Sequence, residues 1–178
     1  MIVFDTTTII LFIDPKAKPP TDPNTGRLVE KCKERIEHLI DTLNKSKTRI
    51  LIPTPVLSEF LVKAGDDKSK FLSEFVSSKN FLVGDFDSLA AIELAHLEDN
   101  DLKSNRKLDG LISKAKVKFD RQIVAIAKVK GAGTIYTDDG NLAKLARNNG
   151  IAPVMTWEIP LPPVEPQVAL DLRSDPDD

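Results

Sequence analysis

The sequence predicts an α/β domain: a three-layer α/β/α sandwich with a mainly parallel central sheet. Three observations carry this. Short apolar runs alternate with longer amphipathic stretches along most of the chain, as in successive β–α units. The runs "MIVF" and "ILIP" are continuously apolar, which suits strands buried on both faces. Glycine closes several of the longer stretches, at Gly65, Gly131 and Gly150, and Pro53 stops the second short run.

The elements follow in order. Residues 1–4 form a strand that stops at Asp5, and a helical turn or two covers 7–13. The segment "DPKAKPPTDPNTG" reads as a loop because of its four prolines and its Asn and Gly turn formers. From Leu28 to about Lys45, apolar residues recur at spacings of three and four, the mark of an amphipathic helix. "RILIP" is the second strand. Thr54 is expected to cap a helix with Pro55 at its first position, running to Gly65. A further helix is expected over 66–78, then a strand at "NFLVG" and a helix capped by Asp87. Residues 100–118 are basic and ambiguous. "DRQIVAIAKVKG" is a helix opened by Asp120, "TIYT" a strand, "DDGNLAKLARNNG" a helix and "APVMT" a last strand.

With 178 residues, 41% of them hydrophobic, the chain suits one domain with a single core, over residues 1–157. Residues 158–178 are a Pro-rich, acidic tail, expected to be extended or partly disordered. The net charge of −2 names no partner. No apolar run is long enough to span a bilayer, and no basic region with a cleavage site suggests a signal peptide. A single cysteine, Cys32, excludes an internal disulfide and fits a reducing, cytoplasmic setting. Neither a phosphate-binding glycine loop nor a Ser-His-Asp or Cys-His pattern is present.

In an open α/β sheet a site forms outside the carboxyl ends of the strands, and acids stand at two such ends, with two more on helices. Asp5 ends the first strand, and Asp138 and Asp139 follow "TIYT". Glu59 lies three residues from Val56 and from Val62, so its carboxylate belongs to a largely apolar stripe. Asp120 follows the basic run "KVKF". Each also has a purely structural reading, as a helix cap, a turn former or an acid at a solvent edge. Converging carboxylates would repel one another without a cation, and a hard divalent ion such as Mg²⁺ wants oxygen ligands.

"MIVFDTTTII", "TPVLSEFL" and "KFDRQIVAIAKVKGAGTIYTDDGNL" together resemble, in order and spacing, the motifs of the PIN-domain ribonucleases. The resemblance spans roughly residues 1–155. It implies a metal-dependent endoribonuclease hydrolysing RNA, of the kind that includes the VapC-type toxins of toxin–antitoxin pairs. It further implies Asp5, Glu59, Asp120 and Asp139 as the catalytic and metal-binding acids, Mg²⁺ or Mn²⁺ as cofactor, an antitoxin protein as partner, and a homodimer. Asp139 rather than Asp138 matches the Thr-x-Asp pattern set by Thr137, leaving Asp138 as a cap or supporting residue. The alternative is a PIN-fold module that docks RNA or protein without cleaving.

Nucleic acid also needs cations to dock its phosphates. Residues 103–121 hold seven Lys or Arg against two Asp, with Asp120 among them. Lys118 and Arg121, flanking it, are the candidate phosphate contacts. Few aromatics and no aromatic-rich strand argue against a stacking platform.

Overall fold

Residues 1–14, 16–65, 68–69, 72–73, 79–103 and 114–163 are described by a computed structural model of the chain. In chain order the elements are β1 (Ile2–Phe4), α1 (Thr6–Ile13), β2 (Thr21–Asp22), β3 (Arg27–Leu28), α2 (Cys32–Lys45), β4 (Ile50–Pro53), α3 (Thr54–Lys63) and β5 (Phe81–Gly84). Then follow α4 (Ser88–Lys103), α5 (Lys114–Val129), β6 (Thr134–Tyr136), α6 (Gly140–Asn148) and β7 (Ala152–Val154), and a 3₁₀ turn over Thr156–Glu158. The five runs read as strands pair into one sheet in the order β5-β4-β1-β6-β7, with all of its pairings parallel. β1 lies at its centre, Ile2 facing both Ile50 and Thr134 in register. Val3, Phe4, Leu51, Ile52 and Ile135 have no exposed surface, so the continuous apolar runs are strands covered on both faces.

Several boundaries differ from the expectation, each for a local reason. The proline-rich loop contains the antiparallel β2–β3 hairpin, with Gly26 at φ +68°. α2 starts at Cys32 rather than Leu28, because Val29 is still extended and its N–H bonds the carbonyl of Pro20 at 2.9 Å. Thr54 is the first residue of α3 rather than its cap; its hydroxyl accepts the N–H of Phe86 at 3.3 Å. Asp87 does cap α4, accepting the N–H of Ala90 at 2.9 Å. α5 begins at Lys114, so Asp120 is an interior helical residue and not an opening one.

α5 carries a fully enclosed run: Val124, Ala125, Ile126 and Ala127 are fully buried, which their small or β-branched side chains permit against the sheet and α4. The packed unit extends through Ile159, which is buried while Arg35 donates to the carbonyls of Trp157 and Ile159. Most of the helix expected over 66–78, the basic segment 104–113 and the tail after 163 lie outside the described residues. Among the described residues no helix is long and apolar enough to cross a membrane.

Candidate active site

The strand order creates the site. The chain runs from β1 outward through β4 to β5, then returns to add β6 and β7 on the other side of β1. Such a reversal opens a crevice at the carboxyl ends of the two diverging strands. Asp5 leaves β1 there. Its N–H bonds the carbonyl of Tyr136 at 3.0 Å, which pins it beside the end of β6. One carboxylate oxygen, Oδ1, caps α1 by accepting the N–H of Thr6 at 2.7 Å; the other, Oδ2, accepts the hydroxyl of Thr137 at 2.8 Å. The same Thr137 oxygen accepts the N–H of Asp139 at 3.0 Å, so one buried hydroxyl ties two acids together. Asp139 is itself the cap of α6, with Oδ1 accepting from Asn141 and Leu142 at 2.8 and 3.2 Å. Its Oδ2 is left to pair with Lys116 of α5.

Glu59 comes from α3, the helix that leaves β4. Its Oε2 accepts the hydroxyl of Thr6 at 2.8 Å, and its Oε1 pairs with Lys63 one turn on, at 2.7 Å. Asp120 reaches the same place from α5, which packs on both α3 and α6. All four acids line a single pocket of about 630 Å³, together with Lys63 and Lys116.

Their electrostatics differ in an ordered way. Burial pushes the Asp5 carboxyl up to about 6, against the two hydrogen bonds that lower it, with Glu59 and Asp139 adding repulsion. Asp120 is pushed up to about 7, first by burial and then by the charge of Asp139, with Lys116 opposing. For Asp139 burial acts upward, but Lys116 and the N–H groups of Leu142 and Asn141 outweigh it and hold it below the usual carboxylate range. In Glu59, too, burial is outweighed, here by the hydrogen bonds from Lys63 and Thr6. Hydrogen bonding to Asp139 raises Lys116 in return. The pocket thus holds two acids whose pKa is raised, Asp120 to near neutrality, beside two that are held low and paired with a lysine each. Carboxylates clustered in a cleft with pKa values spread in this way make it the candidate functional site.

As a donor set, four carboxylates without thiolate or imidazole suit a hard divalent cation. Among the described residues no three acids are drawn together as a ready-made metal cluster, and Lys63 and Lys116 neutralise two of them.

The pocket therefore gathers every acid that the sequence singled out for it. Asp138 is not part of it, and it does not cap α6. Its Oδ1 and Oδ2 accept the N–H and the hydroxyl of Thr156, at 2.8 and 2.6 Å, fastening the end of β6 to the 3₁₀ turn. The apolar stripe expected around Glu59 is broken: Val56 is fully buried, but Val62 is 77% exposed, so this face of α3 passes from core to pocket mouth. Lys118 and Arg121 do not line the pocket; Lys118 is exposed and Arg121 lies 3.7 Å from Glu98 of α4. The cations that do line it, Lys63 and Lys116, stand four residues from Glu59 and Asp120, a spacing that places each on its acid's helix face. Extending α5 back to Lys114 is what would have revealed Lys116 in the sequence.

No protein-family model matches the chain, and no curated protein sequence matches it. Solved structures do. A chain of the DNA-bound VapBC from Salmonella typhimurium superposes with a TM-score of 0.55 at 20% identity, over 87% of this chain and 97% of that one. A chain of VapBC2 from Rickettsia felis, bound to a DNA fragment from its promoter, gives 0.54 at 16% identity, over 87% and 98%. At such identities the likeness is one of fold: the chain has the PIN-like α/β/α fold of these VapBC chains.

Proposed function

We propose that this chain is a metal-dependent endoribonuclease that hydrolyses RNA phosphodiester bonds as the toxin of a toxin–antitoxin pair. The observation that carries the reading is the convergence of Asp5, Glu59, Asp120 and Asp139, from four separate elements, on one pocket at the switch point of the sheet. The likeness of fold to VapBC chains supports a toxin working with an antitoxin partner.

Asp5 and Asp120 would hold a Mg²⁺ or Mn²⁺ ion, with Glu59 and Asp139 completing its oxygen ligands or orienting the attacking water. When bound, such an ion lowers the pKa of a water and neutralises charge on the phosphate. The chain's own groups do the rest. Thr137 fixes the Asp5 carboxylate and the start of α6 in one geometry, so the two acids cannot drift independently. Thr6 does the same for Glu59. Asp120 titrates near neutral pH and Asp5 about one unit lower, so a cation held by their oxygens would favour the ionised form of both. Lys63 and Lys116 balance the remaining charge and lie where a substrate phosphate would enter.

The test is cleavage of a mixed panel of labelled RNAs and DNAs by the purified chain in Mn²⁺ or in EDTA, beside Asp5→Asn and Asp120→Asn. Mn²⁺-dependent cleavage of RNA, abolished by both substitutions, is expected. Cleavage that persists in EDTA or in both variants overturns the site.

A further inference from the structure

A pocket that only held a cation and a phosphate would need no apolar surface facing water. This one has two such residues at its mouth. Phe119 is 52% exposed and Val62 is 77% exposed, yet both line the acid pocket, one on α5 and one on α3. Phe119 and Asp120 stand three and four residues after Lys116, so a cation, an aromatic ring and a candidate metal ligand all reach the pocket from one side of α5. Asp5 and Asp120 are buried and the two apolar residues are exposed, which puts the acids deep and the ring at the rim. Single exposed apolar side chains are ordinary on a protein surface; these two differ from the others in lining the acid site, from different helices.

The geometry points to Phe119 as a stacking surface for an unpaired nucleobase of the substrate, with Val62 as the apolar wall opposite. The inference rests on the nuclease reading and adds to it the residue that would hold a base of the substrate. A phosphodiester seated over the acids carries its sugar and base outward, toward the rim. There a base can lay its face on the ring of Phe119 while a phosphate lies near Lys116. A base inside a duplex already has both faces covered by its neighbours, so only a single-stranded or unpaired nucleotide can do this. Every base has a π-face, so the contact selects for strandedness and tolerates sequence. A platform assembled from one exposed ring on a helix leaves no trace in aromatic content, which is why the composition argued against stacking.

The test measures binding of fluorescent phosphorothioate oligonucleotides, which resist cleavage, to the full chain by anisotropy in Mn²⁺. Single-stranded RNA and DNA, the same sequences as hairpin duplexes, and single strands with abasic positions are compared. Phe119→Ala is expected to weaken single-strand binding about 5- to 100-fold. Phe119→Trp should retain it, and abasic strands should bind the unaltered chain as weakly as intact strands bind Phe119→Ala. Duplex binding should be unchanged by either substitution. Equal single-strand affinity for Phe119→Ala and the unaltered chain overturns the inference. So does an equal loss on single strands and duplexes, with urea unfolding of the variant checking that its fold is intact. Unchanged nucleic-acid binding with altered sedimentation would assign the ring to a protein contact instead, and also overturns it. The two readings fail separately: Phe119-dependent single-strand binding without any metal-dependent cleavage removes the nuclease, whereas cleavage and binding both indifferent to Phe119 remove the stacking surface.

Discussion

Replacing Asp5 by asparagine should change stability in opposite directions at acid and alkaline pH. The folded chain holds the Asp5 proton more tightly than the unfolded chain, about 6 against an ordinary 3.8. Stability from this group is therefore greatest below pH 3.8, falls as pH rises through the window from 3.8 to about 6, and is flat above it. The rise of roughly two pH units corresponds to about 3 kcal/mol of unfavourable ionisation at pH 8. Asparagine cannot ionise, so the variant escapes that cost. It also gives up something: its oxygen can take the N–H of Thr6, but its amide group then meets Thr137, whose hydroxyl loses the acceptor it has at 2.8 Å. One such hydrogen bond contributes about 1 kcal/mol.

The metal-free variant should thus be about 2 kcal/mol more stable than the unaltered chain at pH 8, and about 1 kcal/mol less stable at pH 3, where Asp5 is protonated in both states. Urea unfolding in EDTA at the two pH values measures this, with Trp157, the sole tryptophan, as the probe. A change of the same sign and size at both would refute the claim that burial of a charge dominates at Asp5. A carboxylate kept where an amide would be more stable is what a working site looks like, since activity and stability are separately selected.

The other predictions concern the proton balance, the aspartate pair and the sheet edge. Mn²⁺ must displace protons from Asp5 and Asp120, so its affinity should climb with pH through about 6 to 7 and level off above; calorimetry in buffers of different ionisation enthalpy would read the released protons. A pH-independent affinity would contradict the assignment of those two acids. Asp138→Ala should lose about 1–3 kcal/mol of stability by leaving Thr156 unpaired, while keeping Mn²⁺ affinity. Asp139→Ala should lose only about 1 kcal/mol, for the helix cap, yet bind Mn²⁺ about tenfold more weakly or worse. The reverse order would exchange their roles. Gly84→Ala should destabilise the fold by about 1–3 kcal/mol, because the added Cβ would stand 2.8 Å from side-chain carbons of both Ile126 and Leu51, and equilibrium unfolding would show it.

Much of the architecture was legible in the chain itself. Continuous apolar runs of three or four residues, separated by amphipathic helices, leave little choice but a covered parallel sheet, and all five runs became its strands. The four acids were legible through the order and spacing of the motifs they stand in, which resemble those of the PIN-domain ribonucleases; periodicity gave only their neighbouring elements. Local periodicity could not supply what depends on three dimensions. The helix carrying Asp120 begins at Lys114, in a basic stretch whose pattern is obscure, and with that start came Lys116. Arg121 and Lys116 share one basic run, but a helix turns its residues by about 100° each, and the packing of α5 sends Arg121 toward Glu98 and Lys116 toward Asp139.

The doublet Asp138–Asp139 shows the division most plainly. Sequence established that one acid of the pair follows a strand and precedes a helix at the right offset from Thr137. Only the folded chain brings Thr156 back from β7 to claim the first carboxylate, leaving the second to cap α6 and face the pocket. Residues 18 positions apart cannot declare a hydrogen bond in a local pattern, because it exists only once the strands have paired.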